Sequence, residues 1–138
     1  MGLMNRNPRA RPGAATLLAV LLVLLPARLL AADWVPLGPE GGDVRTLAYD
    51  PANPDRIFLG TSAGQLYLSI NGGGSWQRLA RLGTGDRYVL DHIVFDPARP
   101  GTLYVSAWDI EREGGDLFRS RDHGKTWEVL PAMRGKSI

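Results

Sequence analysis

From Val44 onward the apolar residues fall into short runs separated by turn-forming clusters. Val44–Tyr49, Ile57–Leu59, Leu66–Leu68 and Trp76–Leu79 read as strands. Between them lie Asp50-Pro51-Ala52-Asn53-Pro54-Asp55, Thr61-Ser62-Ala63-Gly64 and Ser69–Ser75. Prolines cannot donate to a ladder, so the first cluster is expected to be a connection. No run is long enough at a 3.6-residue period to predict a helix. The same order then returns. Asp96-Pro97-Ala98-Arg99-Pro100 lies 46 positions beyond Asp50, and Leu103–Val105 matches Ile57–Leu59 at that offset. From Gly64 the offset is 51, so that Leu66 matches Leu117 and Trp76 matches Trp127. Five extra residues are therefore expected in one loop, Trp108–Gly114, where a repeated unit tolerates insertion.

Each pass closes on one motif, Ser69-Ile-Asn71-Gly-Gly73-Gly-Ser75-Trp76 and then Ser120-Arg-Asp122-His-Gly124-Lys-Thr126-Trp127. A short Asn or Asp side chain can accept backbone N–H bonds two residues on and hold a turn. The glycine two positions on supplies positive φ. Ser75 or Thr126 can bond within the loop, and the Trp brings a large apolar surface to the return strand. Every motif residue thus has a local structural task, and a scaffolding role is expected rather than catalysis.

A unit of four strands in 40–50 residues is the signature of a propeller blade. The expected fold class is all-β, with two four-stranded blades of a β-propeller at 44–82 and 83–133. The segment 33–43 is expected to be an outer strand (Trp34–Leu37) and a turn, and 134–138 the start of a third unit. The Asp-Pro-x-x-Pro turns and the Ser-x-Asp-x-Gly-x-Thr-Trp hairpins resemble those of Asp-box propellers, above all the photosystem II stability/assembly-factor family. Sortilin ectodomains and xyloglucanases share this wording more distantly. The resemblance covers 33–138 and implies a scaffold or protein-binding surface. Two blades do not close a ring of four to eight, so further blades or other copies of the chain are expected to complete it.

The first 32 residues stand apart. Arg6, Arg9 and Arg11 precede the apolar run Leu17–Leu25, followed by Pro26 and Ala31-Ala32. This is the pattern of a signal peptide, with an N-terminal anchor as the alternative, and no other membrane span is expected. The expected location is outside the cytoplasm: periplasmic, extracellular or, in a phototroph, thylakoid-lumenal. Four of the 16 basic residues and none of the 14 acidic ones lie there, so the remainder carries a net charge of −2. A nucleic-acid footprint is not supported. Cysteine is absent, so packing rather than disulfides must hold the fold.

Candidate chemistry is sparse. Asp43, Arg45, Asp91 and His92 fall on or beside the inner strands, where a central channel could receive them. Asp109, Glu111 and Glu113 form the opening of a calcium-loop pattern, but Ser120 stands where a bidentate Glu is required. They are read as a charged loop and a possible partner contact. No metal or cofactor site is predicted. Glycoside hydrolysis needs two carboxylates flanking a sugar, and no such pair is evident. The resemblance to xyloglucanases implies an acid in the turn after the second strand, where this chain has Ser62. A fragment of a secreted sialidase- or xyloglucanase-like hydrolase, with its acids in blades outside this sequence, is the alternative to a non-catalytic protein-binding module.

Overall fold

A computed structural model describes residues 35–40 and 42–136. Residues 1–34, Gly41, Ser137 and Ile138 lie outside the described part, and with them the expected signal peptide and Trp34. Two four-stranded antiparallel sheets follow one another along the chain. The first is β1 (Val44–Asp50), β2 (Asn53–Thr61), β3 (Gln65–Ser69) and β4 (Gln77–Arg81). The second is β5 (Tyr88–Phe95), β6 (Leu103–Asp109), β7 (Gly114–Ser120) and β8 (Glu128–Val129). In each, spatial order equals sequence order. Among the described residues there is no α-helix, only a 3₁₀ turn at Pro131–Met133, and no helix long and apolar enough to cross a membrane.

The sheets pack face to face because strand alternation sorts their side chains. Phe58 and Leu66 of the first sheet meet Leu90, Ile93, Leu103, Val105 and Phe118 of the second in one core. Phe58, Leu66, Leu90, Leu103 and Val105 are fully buried. Phe58 and Phe95 meet edge to face, with centroids 5.5 Å apart. The closest approach is at Gly60 on β2. A Cβ there would stand 2.7 Å from Thr46 Cγ2 and 2.8 Å from Leu90 Cβ, so only glycine lets β5 come this near. The opposite face of the first sheet leaves Leu47 and Tyr49 exposed, and that of the second leaves Val94 exposed.

Several boundaries differ from expectation. The cluster Asp50–Asp55 is not all connection: β2 begins at Asn53. Pro54 is tolerated because the ladder jumps from Asp50↔Asn53 to Tyr49↔Ile57, leaving residues 54–56 without a β1 partner. The five extra residues do not form a loose loop either. Trp108 pairs with Gly115 and Asp109 with Gly114, which extends the β6–β7 ladder and leaves a turn of only Ile110–Glu113. Val35–Leu37, expected in an outer strand, has no ladder partner among the described residues, and Val35 and Leu37 are exposed. Its one described link to the first sheet is a side-chain bond, from the Trp76 indole N–H to the Leu37 carbonyl. Near the other end, Lys136 bridges antiparallel to Gly115.

Candidate functional site

The two hairpins are nearly superimposable in their bonding. In the first, the buried Ser69 hydroxyl accepts N–H bonds from Gly73 (2.8 Å) and Asn71 (3.3 Å) and donates to Asn71 Oδ1 (2.9 Å). In the second, Ser120 does the same with Gly124 (2.8 Å), Asp122 N–H (3.3 Å) and Asp122 Oδ1 (2.8 Å). That Oδ1 also accepts the N–H of Ser75 or Thr126, at 2.9 Å in both. One detail reverses: Asn71 Nδ2 donates to Ser75 Oγ (3.0 Å), whereas Thr126 Oγ1 donates to Asp122 Oδ2 (2.6 Å). The bonds from Thr126, first its hydroxyl and then its N–H, hold the Asp122 carboxyl down at about 2. All of its acceptor capacity is directed inward, into its own turn.

Glycines 73 and 124 have φ of 94° and 87°. The preceding residue is left-handed too, as Gly72 in one hairpin and His123 in the other. Its N–H reaches across to the carbonyl of Asp55 (3.0 Å) or Gly101 (2.9 Å). Each indole lies over its motif glycine. The Trp127 N–H donates to the Gly124 carbonyl at 2.9 Å, while that of Trp76 donates to the Leu37 carbonyl. The Asp-Pro turns also repeat, since Asp50 and Asp96 each accept the N–H two residues on at 2.9 Å.

The remaining sequence candidates do not converge. Asp43 and Arg45 are exposed at the start of β1, where the Asp43 carbonyl accepts the Ser62 N–H (3.1 Å). Asp91 sits at the β5 bulge, and His92 is exposed with Nδ1 3.4 Å from Ser106 Oγ. No hydrogen bond or ion pair joins these four among the described residues. Asp109 is corrected from a loop carboxylate to a buried end-of-strand one. It lies 3% exposed, with Oδ2 3.1 Å from Arg87 Nε. Glu111 is exposed and pairs with the same arginine at 3.2 Å. Glu113 is exposed and takes a left-handed φ of 51° in the tight turn.

What the structure does assemble is a cleft of about 460 Å³ beside that turn. Tyr88, Phe118 and Val129 give it apolar surface, glycines at 83, 114, 115 and 135 open it, and Asp109, Asp116, Arg112 and Arg134 supply its charge. The Tyr88 hydroxyl donates to Asp116 Oδ2 (3.1 Å) and Gly135 N–H donates to Oδ1 (3.1 Å). Burial, and then the Asp116 charge, push the Tyr88 phenol above its usual range. Both acids are thus engaged, whereas Arg112 and Arg134 have no carboxylate within salt-bridge distance among the described residues.

No protein-family model matches the chain. Over 99 residues it is 28% identical to an oligoxyloglucan-reducing end-specific xyloglucanase of Emericella nidulans, covering 70% of this chain and 12% of the relative. A xyloglucanase of a Paenibacillus species is 30% identical over 122 residues, covering 73% and 12%. A vacuolar protein sorting/targeting protein 10 of Chaetomium globosum is 34% identical over 84 residues, covering 61% and 5%. The chain therefore spans only a small part of the length of these curated relatives. Among solved structures, YCF48 from Cyanidioschyzon merolae superposes with a TM-score of 0.59 at 18% identity, covering 76% of this chain and 33% of that one. YCF48 bound to D1 peptide gives 0.55 at 15%, covering 73% and 31%. The two sheets are β-propeller blades.

The cleft of the second blade escaped the sequence reading. Tyr88, Asp116 and Arg134 are far apart in the chain and meet only through the order of strands. One sign was available: Asp116 is an acid where the repeat has Gln65 in the first blade.

Proposed function

We propose that these blades belong to an exported, non-catalytic propeller of the Asp-box type that binds a segment of another protein, in the manner of photosystem II assembly factors. The cleft beside the β6–β7 turn carries this reading. Asp109 is ion-paired with Arg87 and Asp116 is bonded to Tyr88 and Gly135, so among the described residues the charge it offers without a carboxylate partner is that of Arg112 and Arg134. Its apolar surface from Tyr88, Phe118 and Val129 suits a side chain of an extended peptide bearing acidic groups. The fold likeness to YCF48, one structure of which is bound to a D1 peptide, supports it.

The test is titration of a fluorescent acidic peptide and its neutral amide analogue against the full chain. Charge complementarity at an exposed rim is screened by salt. R112E and R134E together should weaken the acidic peptide by about tenfold, or about 1.4 kcal/mol, and leave the neutral one nearly unchanged. Equal binding of both peptides by parent and variant would refute the role of the arginines.

A second reading, part of a secreted glycoside hydrolase, draws on the similarity to xyloglucanases over 70–73% of the chain. Against it stands Ser62, whose hydroxyl cannot serve as the carboxylic acid that such chemistry requires. Release of reducing sugar from xyloglucan oligosaccharides by the chain would favour that reading instead.

A further inference from the structure

Asn71 is followed by Gly72, the pairing of residues that loses side-chain ammonia most readily, because glycine offers no side chain to block ring closure. We infer that Asn71-Gly72 is a deamidation site that the folded hairpin holds shut, and that its normal product is one the fold accepts. In the reaction the Gly72 amide nitrogen attacks Asn71 Cγ. An N–Cγ bond forms, the Cγ–Nδ2 bond breaks, and ammonia departs with the amide proton. Water then opens the five-membered imide. Cleavage at Cγ gives aspartate, and cleavage at the main-chain carbonyl gives isoaspartate, whose backbone runs through the former side chain.

Two features of the hairpin oppose the first step. The attacking nitrogen is engaged, since the Gly72 N–H donates to the Asp55 carbonyl at 3.0 Å. The electrophile is also pinned: Asn71 Oδ1 accepts from Ser69 Oγ and Ser75 N–H, both at 2.9 Å, and Nδ2 donates to Ser75 Oγ at 3.0 Å. Cyclisation requires these bonds to open together, so it proceeds from the locally unfolded hairpin.

The second blade shows what the product would do. Asp122 occupies the matching place with the same Oδ1 contacts, and the hydroxyl of Thr126 simply donates where that of Ser75 accepts. Aspartate at 71 needs only rotation of the Ser75 hydroxyl. Isoaspartate carries one more backbone carbon and a carboxylate one carbon shorter, so it cannot meet Ser69 Oγ and Ser75 N–H at once. A chain that has opened and taken this branch cannot rebuild the turn.

The experiment is peptide-mapping mass spectrometry of the full chain, held at mildly alkaline pH in native buffer and in concentrated urea. Loss of ammonia at 71 should be at least about tenfold slower in native buffer, corresponding to local opening that costs about 1.4 kcal/mol. S75A removes one exposed partner of the amide and should speed the native reaction about two- to tenfold, the range of a single lost hydrogen bond. N71D should melt within about 3 °C of the parent. Equal rates in both buffers overturn the protection. An N71D chain that loses its sheet spectrum overturns the claim that aspartate fits.

Discussion

Replacing Ser120 by alanine tests whether a single hydroxyl organises the hairpin. The side chain is buried, at 1% exposure, so water cannot stand in for it. Alanine keeps the Cβ and removes the acceptor for two backbone N–H groups, those of Gly124 at 2.8 Å and Asp122 at 3.3 Å. Gly124 is buried, and its stranded donor costs about 1–3 kcal/mol. Asp122 is half-buried and regains water in part, which adds about 0.5–1.5 kcal/mol. The expected loss is therefore about 1.5–4.5 kcal/mol. For a folded unit of about 100 residues each kcal/mol moves the midpoint by about 5 °C, so the melt should fall by about 7–22 °C. Urea unfolding followed by tryptophan fluorescence should show a lower midpoint at unchanged slope. Ser69→Ala should match it, because the first hairpin uses the same bonds at nearly the same lengths. A loss under about 0.5 kcal/mol in either variant, the range of an ordinary surface change, would refute the account of the hydroxyl as the centre of the turn.

Acid should act on the two hairpins unequally. With its folded carboxyl near 2 against an ordinary 3.8, Asp122 contributes stability that is present above pH 3.8 and lost as pH falls through about 2. Asn71 has no such dependence, so D122N should flatten the acid limb of a stability-versus-pH curve. Gly60→Ala should destabilise by about 1–3 kcal/mol, since the added methyl would meet Leu90 Cβ at 2.8 Å and force the sheets apart. In a spectrophotometric titration one of the four tyrosines should ionise late, and Y88F should remove that step.

The repeat was legible because it is written in residues whose work is local. The residues of both hairpins act within six positions of one another, so spacing implied a tight turn, but not that the Ser69 and Ser120 hydroxyls take the glycine N–H while Asn71 and Asp122 accept from four residues on. The strand order followed from the short runs and their turns. Misreadings arose where long-range pairing overrode local signals. Pro54 marks a break on its own strand, yet β2 begins before it because a bulge absorbs the mismatch. The acidic run after Trp108 reads as a solvated loop until Asp109 is paired across to Gly114 and its carboxylate meets Arg87, just ahead of β5. The left-handed His123 was equally hidden, because the sequence has glycine at that place in only one hairpin. The cleft was least visible, being made of residues brought together from all four strands of the second sheet and the segments flanking them.

The lengthened β6–β7 ladder shows how a blade can reshape one rim without retooling its interior. Beyond the equivalent of Gly60↔Leu66 the β6–β7 ladder runs three rungs further, about 10 Å, beside the cleft. Because side chains alternate with a period of two, growth by complete rungs keeps every apolar residue beneath it on its own face. A wall that grows or shrinks in such steps would let the depth of the cleft vary while the blades below stay wedged as they are.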